Sequence, residues 1–336
     1  MTEMNHDKLY AYPQLARHCE HLIEAMTSAL HIKLIERLCA ALLLASVLMV
    51  SPSSAEGDPD PADPIGNMAI EMGMACSSTD PSQPQYYVWT GKLYSRRVGE
   101  PDRHLFNVQG INPRACKMHN NPERGGLGFQ TSARELMLYL HPDSNEVLRT
   151  WENPWTGDVV EVMHMYNDPA SAPLKFPLDN DGKPISFRFK WIDSGAFLIA
   201  EHTRASFRDS PMGGDYQSYV GGHYHSFETS SMIIDKGDVL RSADGSAIPY
   251  VATWTRISQW LPWMMMGGRD GSIVLSSSGR GTLNFNDLPQ PLRQVVESHY
   301  PQMTVAPPFD DERPFVNSWK STKRWIDERR EKNHDR

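Results

Sequence analysis

The sequence predicts a mainly β fold, an antiparallel barrel or sandwich of lipocalin-like shape, with C-terminal helices packed across it. Three observations carry that prediction. Runs rich in Val, Thr, Tyr and Trp alternate with period two between residues 86 and 277, and turn residues punctuate them about every ten positions. Runs with helical spacing do not intervene, so parallel strands joined by crossover helices are not expected. Leu292, Val295, Val296 and His299 then fall at i, i+3, i+4 and i+7, with Pro291 in the first turn and Pro301 as the stop.

Four segments follow in order: a leader over residues 1–55, a linker and short helix over 56–84, the β domain over 85–286, and C-terminal helices with a charged tail over 287–336. In the leader, Leu38 to Val50 is an apolar run preceded by Lys33 and Arg37 and followed by Ser-Pro-Ser-Ser-Ala. The run is too short to span a bilayer comfortably and has the flanks of a signal peptide cleaved after Ala55. Met26 would give an n-region of ordinary length, so it is the expected true start. The expected destination is the periplasm or the cell exterior, without a stable membrane span after cleavage; a membrane-anchored form is the alternative. Cys76 and Cys116 would remain in the mature chain, either paired in that oxidising compartment or as two buried thiols.

Glu56 to Pro64 is rich in Asp and Pro and reads as a solvated linker, and Asn67 to Cys76 reads as a short helix carrying Met68, Ile70, Met72 and Met74. Strands are expected at Tyr86 to Arg97, at Arg134 to Leu140 after the Gly125-Gly126 turn, and near 146–153, 158–166, 185–192, 196–204, 217–230, 249–257 and 272–277. The stretch from Trp151 to Pro169 reads as a hairpin, because Asn153-Pro154 opens a turn that Gly157 closes with a positive φ. From Asp158 one face would carry Val160, Val162, His164 and Tyr166, and the other Val159, Glu161, Met163, Met165 and Asn167. A final helix is expected from Val316 to Arg330, burying Trp319 and Ile326.

The net charge of −8 and the lack of a Lys/Arg-rich block on any expected element exclude a nucleic-acid footprint. Phosphate-cradling, dinucleotide, nucleophile-elbow and His-Glu-x-x-His motifs are missing as well. Three groups of residues can carry chemistry. His164, sharing a face with valines, is either a hydrogen-bonded core residue or a base in a dry pocket, with Tyr166 or Asn167 orienting the substrate. His223 and His225 point the same way on a strand, as metal ligands on sheets do, but need a third ligand; Glu228 would face the other side. Trp260-Leu261-Pro262-Trp263-Met264-Met265-Met266-Gly267-Gly268 follows neither period and reads as an apolar loop. With Trp155 and Trp254, its Trp260, Trp263 and Met265 could line a pocket, where Arg256 would meet an acid such as Glu135 or an anionic ligand.

Together the pieces resemble a bacterial family known as domain of unknown function 1838. The resemblance rests on Trp151-x-Asn153-Pro154-x-Thr156-Gly157, Val162-x-His164-x-x-Asn167-Asp168-Pro169, Arg134-Glu135 with Tyr139, and Trp254 through Gly267 with its Leu-Pro-Trp-Met core. It covers most of residues 85–310 and implies a domain there, but no activity. The residues themselves lead to an expected exported protein that binds, and converts if catalytic, a small apolar or aromatic molecule by acid–base chemistry of the lyase, isomerase or hydratase type, without a cofactor. Two alternatives stand beside it: an enzyme using a transition metal at His223 and His225, and a structural or protein-binding envelope component with a filled interior.

Overall fold

The alternating runs pair into one large antiparallel sheet in the computed structural model, which describes residues 59–185, 189–241 and 247–334. Helix α1 (Pro64–Ala75) comes first, its N-terminus capped by Asp63, whose carboxylate accepts the Ile65 and Gly66 backbone N–H groups. Strands β1 (Gln85–Arg96), β2 (Arg103–Asn121), β3 (Gly126–Ala133) and β4 (Glu135–Leu140) follow, then the short β5 (Thr150–Glu152), β6 (Val159–Glu161), β7 (Met165–Asn167) and β8 (Ala172–Lys175). β9 (Lys190–Ser194), β10 (Phe197–Asp209) and β11 (His223–Asp235) lead through α2 (Lys236–Arg241) to β12 (Val251–Ser258) and β13 (Ser272–Thr282). Helices α3 (Gln290–His299) and α4 (Ser318–His334) come last.

The sheet runs β7-β4-β2-β1-β13-β12-β11-β10-β9, with β3 and β8 paired off this path and β5-β6 forming a separate hairpin. Its ends do not pair among the described residues, so it is open and not a closed barrel. One face of β1 and β4 sends Tyr86, Val88, Leu136, Leu138 and Leu140 against Leu292 and Val296 of α3. That contact buries the stripe the helical spacing picked out. The opposite face is concave, and α4 lies against it.

β3 and β8 were not expected, and the strand expected at 217–230 begins only at His223, after a 3-10 turn over Gly214–Tyr219. Two further departures have a clear physical reason. β2, between β4 and β1, is the longest described strand and was not expected; it contains Gly110 and Pro113, residue types that disfavour a strand interior. Both residues have a place in the ladder. Pro113 stands where the neighbour on one side is interrupted between β3 and β4, with the Arg134 N–H donating to its carbonyl, so its missing N–H costs little. Gly110 lies under the Trp89 indole, where a Cβ would come within 2.0 Å of the ring. Second, the run expected at 158–166 is broken. β6 pairs with β5 while β7 pairs with β4, and the consecutive residues Val162 and Met163 between them are both buried, so period two ends at Glu161.

The expected hairpin turn is present. The Gly157 N–H donates to the Asn153 carbonyl at 2.8 Å and Gly157 has φ 75°. The Asp168-Pro169 peptide is cis. Cys76 and Cys116 form a disulfide that joins the end of α1 to β2, resolving the alternative of two thiols. The expected leader over residues 1–55, its cleavage after Ala55 and its start at Met26 lie outside the described residues. Among the described residues, no helix is long and apolar enough to cross a membrane.

Candidate functional site

Alternation sets which side chains reach the concave face. Glu135, Met137 and Tyr139 of β4, Tyr87, Trp89 and Leu93 of β1, Ile273, Leu275 and Ser277 of β13, and Trp254 and Arg256 of β12 all lie on it. Tyr224, Ser226 and Glu228 of β11 and Arg204, Ser206 and Arg208 of β10 continue the row. With Trp263 of the apolar loop, Met163 and the β7 residue Met165, and Trp319 and Thr322 of α4 as a partial roof, they line a cleft-like cavity of about 770 Å³ that is open on one side. That volume falls within the range of small-molecule sites.

The sheet must curl to make this space. β4 and β12 are four strand steps apart, about 19 Å on a flat sheet. Yet the Arg256 guanidinium acts electrostatically on both Glu135 and Tyr139 of β4. The concave face therefore brings two strands that are far apart in the sheet to one space.

Glu135 is the most chemically unusual group there. Burial raises its carboxyl above the ordinary glutamate range, against the opposing pull of the Asn167 hydrogen bond and the Arg256 charge. Asn167 Nδ2 donates to Glu135 Oε2 at 2.7 Å, and Ser321 of α4 donates to Asn167 Oδ1 at 2.8 Å. The same Ser321 hydroxyl also reaches the Tyr166 carbonyl, so its single proton is shared between the two acceptors. Burial likewise raises the Tyr139 phenol, opposed by Arg256. Arg256 Nη2 donates to Tyr224 Oη at 2.6 Å, while its Nε lies 3.5 Å from Glu228 Oε1 without forming a hydrogen bond. Glu228 stands opposite Arg256 in the β11–β12 register and faces away from the histidine pair, as the alternation predicts.

The structure places the other expected site residues in different settings. His164 does not line the cavity. Its Nδ1 accepts the Tyr139 backbone N–H at 3.2 Å and its ring stacks on Tyr139. Burial pushes its pKa down to about 4, with a backbone hydrogen bond to Leu148 acting the other way. Tyr166 belongs to a clamp: its hydroxyl donates to Asp168 Oδ2 at 2.9 Å and accepts from Gln302 Nε2 at 2.7 Å, while Arg134 and Arg313 both pair with Asp168. That cluster ties the C-terminal segment to the sheet. Asn167 touches the site through Glu135.

Among the expected contact residues, Trp254 and Trp263 line the cavity. Trp155 does not: its indole N–H donates to Glu100 and its ring packs on Trp260. Trp260 is buried beside a smaller recess of about 210 Å³. Met265 occupies a left-handed turn position, φ 56°, and points outward, 40% exposed. His223 and His225 do share a face, but it is the exposed outer one, where His223 Nδ1 lies 3.2 Å from Asp209. Among the described residues, no group of three or more His, Cys, Asp and Glu side chains gathers to hold a metal ion, so the third donor this pair needs is not supplied.

Sequence reasoning gave Glu135 a chemical role only as a partner for Arg256, weighed Glu228 only as a further ligand for the histidine pair, and assigned no site role to Trp89, Tyr139 or Tyr224. The available signal was alternation: Glu135 and Tyr139 sit an even number of residues apart on one strand. What makes Glu135 unusual is burial by elements far away in the chain, and no local pattern encodes that.

A comparison with curated proteins finds no match to this chain. The model of the family described as protein of unknown function (DUF1838) matches residues 82–326, which span the sheet, the cavity and most of its helical roof, and the chain belongs to that family.

Proposed function

We propose that this chain binds a small molecule with an apolar or aromatic body in the concave cavity and moves a proton on it, with Glu135 as the group that carries the proton. The observation behind the proposal is a desolvated carboxyl, held by Asn167 and Ser321, facing a cavity walled by Trp89, Trp254 and Trp263. Burial that raises a carboxyl above the ordinary glutamate range makes its carboxylate a stronger base, which suits the general acid–base steps of a lyase, isomerase or hydratase. Arg256 and Tyr139 supply donors for charge that develops on the substrate. The role first considered for His164 passes to Glu135, because the imidazole is held by the backbone behind Tyr139 and does not line the cavity. An open interior of this size also favours a binder over a structural component with a filled core.

A proton-transfer site exchanges substrate C–H hydrogens with solvent even when net conversion is small. Incubating the protein with a small-molecule cell extract in D₂O should label at least one compound, read by mass spectrometry. Glu135→Gln should lower that labelling by about a hundredfold or more. Labelling that is undiminished in the variant would remove Glu135 from the reaction. The Cys76–Cys116 disulfide supports an oxidising compartment, periplasmic or extracellular, as the place of function. Recovery of the chain in the cytoplasm with its leader intact would exclude that location.

A further inference from the structure

We propose that the cavity takes an amphipathic anion, with an apolar aromatic body seated against Trp89, Trp254 and Trp263 and one oxyanion group turned toward Arg256, Arg204 and Arg208. This rests on the reading of the cavity as a small-molecule site. The inference comes from how the strands distribute charge along the wall. In one row of the sheet Arg204 of β10 stands opposite Glu228 of β11, which stands opposite Arg256 of β12, so a single carboxylate faces two guanidiniums. In a neighbouring row Arg208 stands opposite Tyr224 and lies over its ring, 5.6 Å from the centroid.

Among the described residues, neither Arg204 nor Arg208 has a carboxylate within ion-pairing distance, and both are exposed at the cavity rim. The β4–β1–β13 side is different. Met137, Leu93, Ile273 and Leu275 are buried there, and the one acid on that wall, Glu135, is pushed toward its neutral form by burial. A ligand matching both halves carries its apolar part inward and its negative charge outward. Cationic charge concentrated at the mouth of a low-dielectric cleft attracts such an anion even though the chain as a whole has a net charge of −8. Guanidinium forks bind planar or tetrahedral oxyanions through paired N–H groups, which ammonium side chains do not match.

The test uses two fluorescent probes of nearly the same shape, 8-anilinonaphthalene-1-sulfonate and its uncharged counterpart N-phenyl-1-naphthylamine, titrated into the full chain at physiological salt. The expected result is that both bind and the sulfonate binds about tenfold more tightly or better, a preference of the size that one or two charge-assisted contacts give. Arg204→Met, at an exposed position, should reduce that preference and leave the neutral probe's affinity unchanged, and Arg256→Met should weaken the sulfonate by more than it weakens the neutral probe. Ser277→Trp, which sets an indole into the cavity wall, should weaken both probes.

Equal affinity of the two probes for the unaltered protein would overturn the anion proposal and leave the pocket standing. Binding that Ser277→Trp does not weaken would place the probes elsewhere and overturn the proposal too. Binding of neither probe would contradict the small-molecule reading on which it rests.

Discussion

His164 and Glu135 show how differently burial acts on two kinds of titratable side chain. Desolvation disfavours the charged form of each, so it lowers the histidine and raises the glutamate. For His164 the linkage has a definite sign. Its folded pKa of about 4 lies below the ordinary 6.5, so between these values the unfolded chain binds the proton more tightly. The stability this gives is complete above the ordinary value and is lost as pH falls through that window, by at most about 3 kcal/mol. His164→Gln should flatten this part of the pH dependence, measured as the difference in urea unfolding free energy between the two proteins across the window. A parallel dependence in both would show that the imidazole is not the group responsible. Sequence placed His164 on a face with valines and left open whether it was core or base. The backbone N–H that occupies it belongs to Tyr139 on another strand, and only the pairing of β4 with β7 brings it there.

At the scale of elements, legibility followed local chemistry. The β5–β6 hairpin, α1, α3, α4 and the apolar loop were all readable, since a turn glycine, a proline at a first turn or an apolar stripe acts within a few residues. β2 was not readable. Its Gly110 and Pro113 are tolerated for tertiary reasons: an indole that needs the space above one, and a broken neighbouring ladder beside the other. β7 was misjoined to β6 because β-rich composition continues through residues whose partners change from β5 to β4. The disulfide is an element-scale tie with a measurable weight. It closes a separation of 40 residues between α1 and β2, and chain-entropy arguments assign such a link about 4 kcal/mol. Urea unfolding with and without reductant should show a loss of about that size, and so should the Cys76→Ala, Cys116→Ala double variant. An unchanged midpoint would mean that packing of Met68, Phe129 and their neighbours holds α1 in place without the bridge.

For the molecule as a whole, the cavity is a product of curvature and cover. The sheet curls until Arg256 reaches the field of Glu135, and α4 covers part of it. The Arg134–Asp168–Arg313 clamp and the Ser321–Asn167 contact hold the segment leading into that roof and the roof itself. Alternation told which residues share a face, but the degree of curl depends on every strand at once, so the meeting of β4 and β12 was not legible. The sequence did offer the ingredients: Trp254, Trp263, Arg256 and Asn167 all reach the cavity or the carboxyl facing it.

The central claim is that this cavity holds a small molecule. Native mass spectrometry of the gently purified protein, alone and with 8-anilinonaphthalene-1-sulfonate, tests it most directly, with Ser277→Trp as the comparison. The account predicts a one-to-one adduct, either a retained cellular compound or the added probe, that Ser277→Trp markedly reduces. Bare protein under both conditions, or an adduct equally abundant in Ser277→Trp, would contradict it.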